Sequence, residues 1–145
     1  MPGVVARLFV YGTLMPGETR WRLLAPLVAP AEPERAEPER AEPERAEPER
    51  AEAAGYLYRT PYGWPAAVFD PAASSAVPGL AVTLQDPGRA LAVLDEIEGT
   101  SAGLFHRRLI TTSAGPCWAY HWPGQTSGFQ AITRWKPRAE EERPW

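Results

Sequence analysis

The sequence predicts an α+β domain, a small curved sheet or barrel with a few flanking helices. Three observations point there. Short apolar runs bounded by Gly, Pro and Asp outnumber helical patterns. Only the stretch from Asp86 to Gly99 combines helical periodicity with start and stop signals. A perfect pentapeptide repeat interrupts an otherwise compact chain. With 145 residues there is room for one domain with a real core and not for two. The expected organisation is a single domain over 1–145, interrupted at 31–52 by the repeat.

In chain order, Leu8-Phe9-Val10-Tyr11 reads as a buried strand ended by Gly12. Met15-Pro16-Gly17-Glu18 is turn chemistry, and Trp21 to Val28 reads as a short helix stopped by Pro30. Ala-Glu-Pro-Glu-Arg then occurs four times from Ala31 to Arg50, and Ala51-Glu52 opens a fifth copy. Each of Pro33, Pro38, Pro43 and Pro48 would cost a helix interior about 3 kcal/mol. No large apolar residue is present to offset that by burial, so a solvated, extended or disordered insertion is expected. The unit is also too short and too polar for a solenoid. It reads as a passive surface insertion, with a partner-binding arm as the alternative.

Gly55–Arg59 and Ala66–Phe69 read as strands separated by the turn-rich Thr60 to Pro65, and Gly79–Leu84 as a third. The best helix follows, with Asp86 as N-cap, Pro87 at the first helical position, and Ala90, Leu91, Leu94 and Ile97 as its apolar stripe. Gly99 is a good C-terminal stop. Phe105 to Thr112 and Cys117 to Trp122 form an antiparallel pair joined by Ser113-Ala114-Gly115-Pro116.

Composition excludes several classes. The formal charge is −3, but residues 31–50 hold eight Glu and four Arg, leaving eleven Lys+Arg against ten Asp+Glu elsewhere. A near-neutral domain lacks the basic excess of a nucleic-acid binder. The single cysteine, Cys117, rules out an internal disulfide, and with only His106 and His121 beside it no metal site is indicated. Arg7 interrupts the apolar N-terminal run and no cleavage site follows, which argues against a signal peptide. The longest uncharged stretch, Leu109 to Thr133, is broken by prolines and glycines and cannot be a membrane span. A soluble, cytoplasmic protein without membrane or nucleic-acid partners is expected.

Few residues suggest chemistry. Cys117 and His121 share a strand face but stand about 13 Å apart, too far for a nucleophile and its base. No nucleophile elbow, phosphate loop or dinucleotide fingerprint occurs. Trp118, Tyr120 and Trp122 alternate on one face, as core or pocket wall. The turn Tyr11-Gly12-Thr13-Leu14 can present consecutive backbone N–H groups to a carboxylate or developing oxyanion, or can be purely structural. Asp95 and Glu98 lie on neighbouring parts of the helix end. A carboxylate there meets the negative end of the helix dipole, so its proton affinity rises, and partial burial raises it further. That suits a general base; equally, these acids can simply solvate the helix end.

The order of these pieces carries a resemblance. Leu8-Phe9-Val10-Tyr11-Gly12-Thr13-Leu14 with Gly17 is similar to the opening of the γ-glutamylcyclotransferase-like (AIG2-like) family. Leu94-Asp95-x-x-Glu98-Gly99, followed by Phe105-His106-Arg107, resembles its second signature. Gly55-x-Leu57-Tyr58, Trp64-Pro65-Ala66, Val77-Pro78-Gly79 and Trp118-Ala119-Tyr120 fit its intervening and late strands. The resemblance covers nearly all of the chain except the repeat and roughly the last ten residues. It implies a small mixed β-barrel with flanking helices, a pocket at one end, Glu98 as acid/base, and the Tyr11 to Leu14 loop as substrate holder. Two departures stand out. Phe105 replaces a tyrosine common in the family, and the insertion lies between the first helix and the second strand.

The implied reaction releases 5-oxoproline from a small γ-glutamyl compound and needs no metal, cofactor or enzyme nucleophile. The substrate's α-amine attacks its own γ-carbonyl and expels an amine. Glu98 would take a proton from the α-ammonium and return one to the leaving nitrogen. Backbone N–H groups around Gly12 to Leu14 would hold the α-carboxylate or the oxyanion, with Tyr120 donating a supporting hydrogen bond. The alternatives are a non-catalytic ligand-binding module on the same fold and a γ-glutamyl amide hydrolase that yields glutamate.

Overall fold

The computed structural model describes residues 5–12, 14–15, 18, 20–29, 47–62, 64–99 and 104–135. Among these, seven strands form one mixed sheet: β1 (Arg7–Val10), β2 (Glu49–Arg59), β3 (Pro65–Phe69), β4 (Ala76–Thr83), β5 (His106–Thr112), β6 (Gly115–His121) and β7 (Gln130–Ile132). The order is β3-β2-β4-β1-β6-β5, with β7 added to β2. Only β1 with β6 is parallel, at Leu8 and Trp118. The sheet curls until its edges nearly meet. Trp122 N–H donates to Ala67 O at 2.8 Å, and at the β5–β6 turn Ser113 and Glu52 exchange two 2.9 Å bonds. The α+β, barrel-like class read from the sequence is the observed one.

β1 shows why an unbroken apolar run belongs at the centre. Strand side chains alternate between faces, so both faces of Leu8-Phe9-Val10 must be covered. Phe9 points into the barrel with Tyr11, Leu57, Phe69, Val77, Cys117 and several alanines. Leu8 and Val10 point outward, against a second core completed by helix α2 (Pro87–Ile97) through Ala90, Leu91 and Leu94. Small residues dominate the strands facing Phe9, Tyr11 and Phe69, so the narrow interior fills with three large rings and many methyls.

Several boundaries differ from the sequence reading, each for a physical reason. The helix expected over Trp21 to Val28 is α1 (Trp21–Leu24) followed by a 3₁₀ turn at Ala25–Leu27, because Pro26 cannot donate an i→i−4 bond. Asp86 precedes α2 but is left-handed (φ 49°) and makes no side-chain cap; only its carbonyl serves the helix, accepting from Ala90 N–H at 2.9 Å. The β5–β6 turn is tighter than expected, since Gly115 and Pro116 already belong to β6. β7 has no alternating pattern of its own and exists through its pairing with Leu57 to Arg59.

The last residues of the 31–52 segment are folded. Glu49 to Glu52 open β2 and pair with Ala81 to Pro78 of β4. Ala51 and Ala53 face the interior while Glu52 faces out, the alternation of a strand with one wet side. The rest of the repeat, 31–46, lies outside the described residues.

Candidate active site

Where β1 ends, the chain leaves the sheet and the barrel opens. A pocket enclosing about 490 Å³ of empty space, its open mouth included, is lined there by Phe9, Val10, Tyr11, Gly12, Leu14, Arg20, Trp64, Pro65, Glu98, Leu104, Phe105 and Tyr120. The turn after β1 is closed by Met15 N–H to Gly12 O at 3.0 Å. Gly12 is required by close packing, because a β-carbon would run into the Pro65 ring. Pro65 itself begins β3, so the glycine lets the loop and the opposite barrel rim meet.

Glu98 enters from the other side. It is the first residue beyond α2, held by its N–H to Leu94 O at 2.9 Å, and Gly99 (φ 69°) then turns the chain away. Leu94 anchors this turn in the core, which drives the next side chain inward. Glu98 is 8% exposed, more buried than its apolar neighbour Ile97. Burial pushes its carboxyl up from the usual range, and the Arg20 guanidinium at 3.7 Å partly opposes that rise. Tyr11 and Tyr120 face the same carboxylate. Desolvation and the negative charge of Glu98 hold the Tyr11 hydroxyl well above the ordinary phenol range.

Asp95, one turn back, has a different task. Its carboxylate accepts from Arg107 Nε at 2.9 Å and Nη2 at 3.3 Å, and from the Tyr120 hydroxyl at 2.8 Å. Arg107 lies over the Trp118 ring at 4.6 Å, which fixes the fork. Tyr120 is therefore oriented by Asp95, and desolvation together with this bond pushes its hydroxyl far above the phenol range. Tyr11 completes the wall by donating its hydroxyl to Tyr120 O at 2.6 Å.

Of the residues picked from the sequence, Tyr11, Gly12, Leu14, Tyr120 and Glu98 come together on one pocket; Thr13 lies outside the described residues. Tyr120 differs in one respect. Its proton is committed to Asp95, so toward the pocket the hydroxyl offers an acceptor rather than the expected donor. Of the other lining residues, Arg20 and Leu104 had no place in the sequence reading, and Trp64 entered it only as part of a strand motif. Trp64 carries the wall outward through contacts with Tyr62, Phe105 and Trp122. Arg20 has no local sequence signal, since only the fold brings the start of α1 beside the end of α2. Cys117 and His121 take no part. The thiol is buried beside Thr112, and the His121 ring accepts from Phe69 N–H at 3.1 Å, a neutral ring whose pKa burial lowers. Among the described residues no helix is long and apolar enough to cross a membrane, and no three His, Cys, Asp or Glu side chains gather as metal ligands.

Comparison with known proteins agrees with this architecture. The chain is similar in fold to an AIG2-like protein from Mus musculus, with a TM-score of 0.65 at 15% identity, covering 92% of this chain and 90% of that one. It is similar to YkqA from Bacillus subtilis, with a TM-score of 0.61 at 20% identity; 91% of this chain matches, but it spans only 40% of YkqA. ytfP from Escherichia coli gives a TM-score of 0.52 at 25% identity, covering 88% of this chain and 92% of that one. No curated protein matches the sequence. The family model for gamma-glutamyl cyclotransferase, AIG2-like, matches residues 8–141. The chain belongs to the gamma-glutamyl cyclotransferase, AIG2-like family.

Proposed function

We propose that this protein converts small γ-glutamyl amine conjugates into 5-oxoproline and the free amine, with Glu98 as the acid/base. The observation that carries the reading is Glu98, the one buried carboxylate among the described residues, of raised proton affinity and lining the pocket at the barrel mouth. A general base is most effective when its pKa approaches the working pH, and burial moves Glu98 that way.

The substrate holds its own nucleophile. Folding the γ-glutamyl chain brings the α-amine onto the γ-carbonyl, and well-oriented intramolecular attack is worth about 7–11 kcal/mol. Glu98 removes a proton from the α-ammonium, the amine nitrogen bonds to the γ-carbon, and the carbonyl oxygen becomes an oxyanion. The donors proposed for that charge are backbone N–H groups of the loop whose Gly12 and Leu14 line the pocket. As the oxyanion collapses, the bond from the γ-carbon to the leaving nitrogen breaks and Glu98 returns its proton to the departing amine; the second proton of the ring nitrogen then passes through Glu98 to the same amine, which leaves as an ammonium ion. The Tyr120 hydroxyl, turned by Asp95, offers an acceptor to the ammonium before it is deprotonated.

The test is an end-point assay by mass spectrometry. Purified protein and its Glu98→Gln variant meet a panel of γ-glutamyl amino acids, γ-glutamylamines and γ-glutamyl-ε-lysine. Glu98-dependent 5-oxoproline is the expected product. Glutamate in its place makes the protein a hydrolase, and ligand-induced stabilisation without product makes it a binding module.

A further inference from the structure

Among the described residues that line the pocket, only Glu98 and Arg20 carry charge; the others are aromatic, aliphatic, glycine or proline. Their separation is 3.7 Å, longer than the roughly 2.7–2.9 Å of a charge-assisted hydrogen bond. The contact is thus Coulombic, and it does not lock the guanidinium fork onto Glu98. The two side chains are also unequally placed. Glu98 is deep, with 10% of its side chain exposed, whereas Arg20 stands at the rim with 38% exposed.

We infer that Arg20 is the receptor for the substrate's α-carboxylate, so that Arg20 and Glu98 together read the zwitterionic head of a γ-glutamyl group. This rests on the cyclotransferase reading and goes beyond it by giving the carboxylate its own side chain. A γ-glutamyl compound carries an ammonium and a carboxylate on the same α-carbon. With no other charge among the described lining residues, one anion and one cation side by side are complementary to that head. The depths agree with the chemistry. The α-nitrogen must enter the forming ring and so belongs beside the buried Glu98. The carboxylate projects from the ring and belongs at the rim, where a planar guanidinium can bind it bidentately. The loop N–H groups are then left for the oxyanion, and the two anionic positions of the reaction have separate partners.

The alternative is that Arg20 merely offsets the charge of Glu98, and two products separate the cases. 5-Oxoproline and 2-pyrrolidinone differ only in the carboxylate. Each is titrated into wild type, Arg20→Ala and Arg20→Lys, followed by tryptophan fluorescence, to which Trp64 in the pocket wall reports. Wild type is expected to prefer 5-oxoproline by about tenfold to a hundredfold, the range of a hydrogen-bonded charge pair. Arg20→Ala loses that preference, Arg20→Lys regains part of it, and 2-pyrrolidinone binds all three alike. No preference in wild type, undetectable binding of either included, overturns the inference, as does an unchanged preference in a folded Arg20→Ala. In turnover of the best panel substrate, Arg20→Ala raises KM more than it lowers kcat. Turnover with KM unaffected sinks the role of Arg20 alone. Carboxylate preference without any turnover sinks the cyclotransferase reading alone.

Discussion

Two arginine–glutamate pairs stand at opposite ends of β1, and they behave differently. Arg7 and Glu49 meet at 2.6 Å where the strand begins, with side chains 28% and 60% exposed. Arg20 and Glu98 approach only to 3.7 Å beyond the strand's other end, where the acid is nearly enclosed. In the first pair the geometry is better and the energetic consequence smaller, because water screens the charges and such pairs are worth about 0–1 kcal/mol. In the second, lost hydration outweighs the weaker attraction, and Glu98 holds its proton more tightly than a free carboxylate. The same residue types thus yield a strand clasp at one end and a buried carboxylate of raised proton affinity at the other. Depth decides which.

The comparison breaks most sharply at Glu98. Glu98→Gln is expected to lower kcat by about 10²- to 10⁴-fold, the usual contribution of a general base, with the fold retained by circular dichroism. Its stability effect has the opposite sign. With a folded pKa above the ordinary 4.5, Glu98 contributes least unfavourably below pH 4.5, and stability is lost as pH rises through the folded value. Glu98→Gln should therefore melt higher than wild type at neutral pH, and the gain should vanish near pH 4. A variant that melts lower at neutral pH contradicts the burial argument. The acid limb of kcat/KM should likewise fall at a pH above 4.5 and rise further in Arg20→Ala, since Arg20 is what holds the Glu98 proton affinity down.

A smaller effect is expected at Tyr11. Tyr11→Phe removes a buried 2.6 Å bond and leaves Tyr120 O without that donor, which should cost about 1–3 kcal/mol in denaturant unfolding. Glu49→Gln, at the exposed pair, should cost no more than about 1 kcal/mol, shrink further in high salt, and leave turnover unchanged. A larger loss there would mean that the clasp organises the barrel. Smallest of all is deletion of residues 31–40. Because the units are identical, the shortened chain presents the same residues to β2, and melting temperature and turnover should match wild type. Loss of a binding activity on that deletion would instead favour the partner-arm reading.

Legibility from the sequence followed the range of the forces. The strand at Leu8 to Val10, the helix stripe Ala90-Leu91-Leu94 and the stop at Gly99 are written in local periodicity and turn chemistry, and they stand where expected. Glu98 was accessible because a helix end, a carboxylate and a following glycine are neighbours in the chain. Asp95 was visible as an acid, but not as the partner that turns Tyr120, since its contacts lie on β5 and β6. Glu49 to Glu52 carry no strand signal at all; β4 makes them a strand by offering a ladder.

What the sequence determined by itself was the class of the fold, the helix that ends at the site, and the kind of side chain available for proton transfer. These depend on residues within a turn or two of one another. The tertiary structure alone decided the single parallel pairing of β1 with β6, the seat of Arg20 beside Glu98, and the burial that separates Glu98 from Glu49. Each of those depends on long-range contacts and on exclusion of water, and neither is encoded in any local period of the chain.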